Sequence, residues 1–176
     1  TLRLLEQEVD AAEIVEVAAG LCRDQADHAN VTVMVRVLDD VKILGDQSRL
    51  KQVMFNLLSN AFKFTPEKGS ISVKIQILDK DAKGDLCISV KDSGIGIPEE
   101  YHKEVFKRFF QTKESVSLER GTGIGLTLVD EYVRMHCGKI KLESKAGEGA
   151  DFQILLPLQV NYPAEIVIST EPEGIE

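Results

Sequence analysis

At 176 residues, with 43% apolar and 28% charged side chains, the chain has the length and balance of one globular domain that buries its core without staples. A formal charge of −8 argues against nucleic acid or an anionic membrane as an electrostatic partner. It does not argue against a phosphate ligand, which a few local cations and backbone amides can hold.

Cys22, Cys87 and Cys137 lie far apart and show no CxxC spacing, which speaks against a zinc site or a disulfide framework and for buried thiols in a reducing compartment. No signal peptide and no long apolar run is present. The chain opens in mid-pattern at TLRLLEQEVD without a Met, so it reads as a piece of something longer. The expectation is a cytoplasmic domain whose parent is left open as membrane-anchored or not.

In chain order, residues 2–9 read as a short strand, and 11–28 as one helix with Asp10 as its N-cap and Ile14, Val15, Ala18, Leu21 and Cys22 on one stripe. VTVMVRV (31–37) alternates with period two and reads as a strand; Asp46 or Ser48 opens a helix over 47–63. SISVKIQI (70–77) and LCISVK (86–91) are strands around the polar turn DKDAKGD. Residues 98–122 carry little regular pattern beyond a turn or two of helix at 100–109, and residues 124–136 read as helical. KIKLES (139–144) and DFQILLPL (151–158) form a hairpin across AGEG. Helices among strands, then consecutive strands, predict an α/β (α+β) two-layer sandwich, one sheet covered on one face by helices. Residues 1–158 are taken as the domain. Residues 159–176, with Pro163, Pro172 and several acids, are taken as a linker, a tail or an extra edge strand at EIVIS (165–169).

The helix SRLKQVMFNLLSNAFKF (48–64) has two faces. Leu50, Val53, Met54, Leu57, Leu58 and Ala61 form a complete core stripe. Gln52, Asn56, Asn60 and Lys63 form a second stripe roughly 130° round the axis. Two asparagines in a helix interior carry a local cost. The bland reading is a solvated face. The functional one is amide oxygens for a hard cation such as Mg²⁺ and Lys63 for a phosphate.

Asp92 ends a strand in VKDSGIGIP (90–98), followed by Gly94 and Gly96. A plain turn explains one glycine. Two suggest close approach by a flat ligand, with the carboxylate accepting from an exocyclic amine. GTGIGL (121–126) is neither a Walker A loop nor GxGxxG. Glycines before a helix expose backbone N–H groups at the positive end of its dipole, which favours phosphate; a simple hinge is the alternative.

Together these stretches resemble the catalytic ATP-binding domain of two-component sensor histidine kinases, within the wider family of gyrase, Hsp90-type chaperones and MutL. DQSRLKQVMFNLLSNAFKFT (46–65) is similar to the N box, DSGIGIP (92–98) to the G1 box, VFKRFF (105–110) to the F box and GTGIGL to the G2 box. The resemblance implies a Bergerat-type ATP-binding fold with a mixed, mostly antiparallel sheet. It implies ATP and Mg²⁺ as ligands, with Asn60 the principal metal ligand and Asn56 beside it, both also catalytic together with Lys63 on the phosphates. Phe64 would lie against the nucleotide. Asp92 would accept from the adenine amine, with Gly94, Gly96 and Ile97 lining the base. Residues 98–122 would be a mobile lid anchored by Phe106 and Phe109, and Gly121, Thr122, Gly123, Gly125 and Leu126 would close over the phosphates. Implied partners are a histidine-phosphotransfer and dimerisation segment of a homodimeric parent, and a response regulator receiver domain.

Two departures stand out. Gln111 stands where many members carry an Arg, with Arg108, Lys113 or Arg120 as substitute cations. His28, His102 and His136 lack the context of a phosphoacceptor, so the γ-phosphate is expected to pass to a His outside this stretch. The rivals are an ATPase switch, a regulatory nucleotide-binding module and a serine kinase of the anti-sigma type. Gyrase-type relatives place a Glu four residues before the metal-binding Asn, and here that residue is Asn56, an amide that cannot act as a general base.

Overall fold

The computed structural model describes residues 3–80, 83–113 and 122–159. Its elements run β1 (Gln7–Asp10), α1 (Ala11–Leu21), α2 (Arg23–Ala29), β2 (Thr32–Val37), β3 (Lys42–Gly45), α3 (Gln47–Phe64), β4 (Ser70–Leu78) and β5 (Asp85–Asp92). Two 3-10 turns follow at Glu99–Tyr101 and Glu104–Phe106, and then α4 (Gly125–Met135), β6 (Lys139–Ser144) and β7 (Ala150–Pro157).

Five strands lie side by side in the order β2-β4-β5-β7-β6. β2 runs parallel to β4 and the other pairs are antiparallel, which is the mixed, mostly antiparallel sheet that was expected. Period-two alternation divides its faces. Val73, Val90 and Phe152 stand in one register row and are buried beneath the helices. Arg36, Lys74, Ser89, Gln153 and Lys141 stand in one row of the opposite face. α1 packs on β2 and β4, α3 on β5, and α4 on β6 and β7, with α3 between the other two helices.

α3 forms where the sequence places its signals. The Asp46 carboxylate accepts from the Arg49 N–H at 3.1 Å and caps the start. Thr65 is extended at φ −90°, ψ 121°, as a residue before Pro66 must be, and so the helix stops. Leu50, Val53, Met54, Leu57, Leu58, Ala61 and Phe62 are all buried. This stripe sets the rotation of the helix and therefore the direction of its polar face.

Several expectations need correction. The strand at 2–9 pairs over Gln7–Asp10 alone, against β3. β3 is itself an element that four residues were too short to announce. The helix at 11–28 breaks at Cys22, whose N–H bonds Ala19 O at 3.2 Å in a tighter turn. Ala26 still falls one turn beyond Cys22 on the buried side, so the apolar period runs through the break unseen. Cys22 and Cys87 are buried but Cys137 is exposed. The EIVIS stretch lies outside the described residues. Among the described residues no helix is long and apolar enough to cross a membrane.

Candidate functional site

The second half of α3 turns part of its polar face into a cleft of about 220 Å³, lined there by Asn56, Ser59, Asn60, Lys63 and Phe64. Gln52, earlier on the same stripe, is exposed and outside the lining. Asn56 Nδ2 donates to Gly125 O at 3.3 Å and ties α3 to the first turn of α4. Among the described residues none hydrogen-bonds the Asn60 side chain, which leaves its amide to a ligand.

Asp92, at the end of β5, is 5% exposed. Its Oδ1 accepts from the N–H groups of Gly94 at 2.8 Å and Ala150 at 3.3 Å. Burial pushes its pKa above the ordinary carboxylate range, against the pull of those two amides. Among the described residues no donor meets Oδ2, so one acceptor oxygen lines the cleft ready for an amine.

The glycine pair after Asp92 has a different cause from the one expected. Gly96 sits at φ +70°, and a Cβ there would stand 1.9 Å from Lys145 O; a Cβ on Gly94 would stand 2.3 Å from Phe64 O. The close neighbours are the chain's own backbone, in the turn after β6 and at the end of α3. Gly96 still lines the cleft with Ile95 and Ile97, whereas Gly94 does not.

The next wall follows β5. Phe106, an expected lining residue, lies outside the cleft and meets Phe152 edge-on at 6.2 Å. Thr127 Oγ1 donates to Phe106 O at 3.0 Å and fastens this turn to α4. Phe109, the other expected anchor, is 72% exposed. The aromatic of this segment that lines the cleft is Phe110, which packs against Tyr101 with ring centroids 5.6 Å apart. Thr122, Gly123, Gly125 and Leu126 line the far side, and Gly121 lies outside the described residues. The N-cap residue of α4, Ile124, makes no side-chain bond to its first turn. The first-turn N–H groups and the helix dipole favour an anion there.

A carboxylate with a spare acceptor, two amides, a lysine and the start of a helix, all lining one cleft, suit a ligand with a donor-bearing ring and phosphates. Residues 45–160, about two thirds of the chain, match the family described as histidine kinase-, DNA gyrase B-, and HSP90-like ATPases. The chain belongs to this ATPase family. It is 36% identical to sporulation kinase E of Bacillus subtilis over 159 residues, which cover 90% of the chain and 20% of that relative. It is 37% identical over 138 residues to the autoinducer 2 sensor kinase/phosphatase LuxQ of Vibrio cholerae, covering 76% of the chain and 16% of that protein. The chain thus spans about a fifth of the length of these relatives or less. Among solved structures, the mycobacterial sensor histidine kinase MprB aligns with a TM-score of 0.76 at 27% identity, over 87% of this chain and 97% of that one. Full-length ShkA in complex with AMPPNP aligns with a TM-score of 0.79 at 26% identity, over 92% of this chain and 33% of that one.

For this family member the departures can now be placed. Gln111 lines the cleft where an Arg was the familiar residue. Of its named substitutes, Arg108 pairs with Glu131 on α4 at 3.3 Å, Lys113 is exposed outside the lining, and Arg120 lies outside the described residues. None of the histidines lines the cleft. His28 Nδ1 meets Asp24 O at 2.7 Å, and His102 Nε2 meets Ile97 O at 3.0 Å. His136 is 1% exposed; its Nδ1–H donates to Tyr132 O at 2.6 Å while Nε2 accepts from the Asp46 N–H at 2.9 Å. These two bonds require the neutral ring, and burial accordingly pushes its pKa below the ordinary histidine value.

Sequence reasoning missed Ser59, Ile95, Val105, Phe110, Thr112, Ala150 and Phe152 as lining residues. Phe110 was within reach, because it stands in the F-box stretch. Ala150 and Phe152 reach the cleft from β7, and only the pairing of β7 with β5 sets them beside Asp92.

Proposed function

We propose that the chain is the ATP-binding catalytic domain of a sensor histidine kinase, spanning residues 1–158, and that it delivers the γ-phosphate of ATP to a His on a separate dimerisation segment. The observation that carries this reading is the lining of one cleft, where a buried carboxylate at Asp92 stands with Asn56, Asn60, Lys63 and the start of α4. Asp92 Oδ2 accepts from the adenine amino group, and Ile95, Gly96, Ile97 and Phe64 bound the flat ring. Lys63 meets phosphate oxygen, and Gly123, Gly125 and Leu126 bring backbone N–H groups to the same end. The amide oxygens of Asn60 and Asn56 would hold a magnesium ion, which would supply charge neutralisation for the phosphates. The donor set fits a hard cation: Asn60 lines the cleft with no side-chain hydrogen bond among the described residues, and Asn56 spends its Nδ2 on Gly125 O and keeps its amide oxygen.

Phosphoryl transfer asks the protein for positioning and charge neutralisation, and these residues supply both. Among the described residues Asp92 is the one carboxylate of the lining, and Gly94 and Ala150 already engage it. No carboxylate stands at Asn56 to activate water, which favours transfer to an outside acceptor over hydrolysis. The partners on this reading are the His-bearing segment of a homodimeric parent and a response regulator receiver domain, with the cytoplasm as the compartment. The kinase names of the two relatives and the sensor histidine kinase name of the aligned MprB support the same reading.

The chain, mixed with γ-labelled ATP, Mg²⁺ and the dimerisation segment, should place acid-labile label on that segment and none on itself. Free phosphate without a labelled segment would favour the ATPase reading, and label on the chain would contradict the reading of its three histidines.

A further inference from the structure

The loop from Asp92 to Pro98 forms the base side of the cleft, and its first half is held by Asp92 Oδ1 on the Gly94 N–H, by the Ser93 N–H on Ser70 O and by the Ile95 N–H on Phe64 O. Its second half is held by the β6–β7 turn, and two of those bonds meet at one hydroxyl. Ser144, the last residue of β6, accepts from the Ile97 N–H at 2.8 Å and donates to Gly149 O at 2.6 Å. Gly147 N–H reaches Ile95 O at 2.6 Å, and Gly96 packs so closely on Lys145 O that a Cβ would lie 1.9 Å away. Three successive cleft residues, Ile95, Gly96 and Ile97, are therefore seated on this turn. Ser144 itself is half-buried and outside the cleft lining.

We propose that Ser144 is a positioning residue of the nucleotide site, whose hydroxyl relay from Ile97 to Gly149 fixes the wall against which the base lies. The proposal rests on the nucleotide reading above and deepens it. The chemistry is specific to a hydroxyl. A serine Oγ accepts one bond while donating another, so it satisfies both backbone groups at once. An alanine leaves the Ile97 N–H and the Gly149 carbonyl without their partner, and the wall loses its fixed seat. Threonine keeps the hydroxyl and suits a strand end. Among the described residues no hydrogen bond joins α3 or α4 directly to this turn, so the effect of Ser144 falls first on base recognition.

The test displaces a fluorescent ATP analogue from the chain with adenosine and, separately, with inorganic tripolyphosphate. In Ser144→Ala the adenosine needed should rise about tenfold, the cost of one hydrogen-bonded contact. Tripolyphosphate should displace as in the unsubstituted chain, and Ser144→Thr should stay within about twofold for both. Adenosine displacement unchanged in Ser144→Ala, or both ligands weakened by one common factor, overturns the proposal. Failure of the unsubstituted chain to bind the analogue overturns the nucleotide reading itself. Amide exchange on the unsubstituted chain needs no variant: the Ile97 N–H should be protected like a strand amide, and exchange at the rate of an open loop overturns the relay.

Discussion

Asp92 carries two demands in one carboxylate. Oδ1 closes its own loop through Gly94 and joins it to β7 through Ala150, while Oδ2 is left for a ligand. Holding this group at 5% exposure favours its protonated form, which is why its pKa is raised. The sign follows directly. A raised folded value means the favourable contribution is whole below the unfolded value and is lost as pH rises through the folded one. Above the folded value the ionised carboxylate therefore works against the fold. Asp92→Asn retains an oxygen for the two amides and removes the charge. It should melt at or above the temperature of the unsubstituted chain at pH 7, while losing on the order of 100-fold in affinity for ATP, because an amide N–H then faces the adenine amine. Paired thermal melts and calorimetric titrations check this, and tight binding by the variant would remove Asp92 from base recognition. The glycines beside it show the limit of residue-level reading. GIG was legible as a place of close approach, but what approaches is Lys145 O and Phe64 O. Those neighbours are distant in sequence, so the local pattern could register the demand without naming its source.

Among the elements, α3 was the most legible, because cap, core stripe and Pro66 all agree on its bounds. β3 and the break at Cys22 were not. The first is too short to show alternation, and the second leaves the apolar period intact. Neither could sequence periodicity reveal how α3 and α4 are joined at both ends. Asn56 bonds Gly125 O at one end, and His136 bonds the Asp46 N–H at the other, where Asp46 also caps α3 and Arg49 lies over the Tyr132 ring. His136→Ala should cost about 2–4 kcal/mol, from the cavity and the unpaired Asp46 N–H. The pH dependence has a definite direction. The folded pKa of His136 is depressed, so its contribution is present above the unfolded value near 6.5 and is lost as pH falls toward the folded value. Denaturant melts should show stability falling below about pH 6.5, with a shallower fall in His136→Phe, whose side chain takes up no proton. Equal slopes in the two proteins would mean that other groups govern this range.

For the whole molecule, composition and alternation were enough to reach a two-layer sandwich with one sheet and helices on a single face. They did not show that β1 and β3 pair apart from the five-stranded sheet. The position of the cleft required the strand order. β5 pairs with both β4 and β7, so Asp92 meets Ala150, and α3 and α4 close the opposite side. The resemblance located most of the lining through α3, the loop after β5 and the start of α4, but it could not distinguish Phe110 from its neighbours Phe106 and Phe109. Their roles depend on how this segment packs against α4 and β7. A chain of formal charge −8 also sets the terms of binding. It offers a triphosphate no long-range attraction, so affinity must come from Lys63, backbone N–H groups and a shared cation at short range. The most direct measurement is a crystal structure of the chain with Mg²⁺ and a non-hydrolysable ATP analogue. The expected result has the adenine amino group on Asp92, the phosphates between Lys63 and the start of α4, and the metal on Asn60. An analogue bound elsewhere, or lying with its base toward Asn60 and its phosphates toward Asp92, would contradict it.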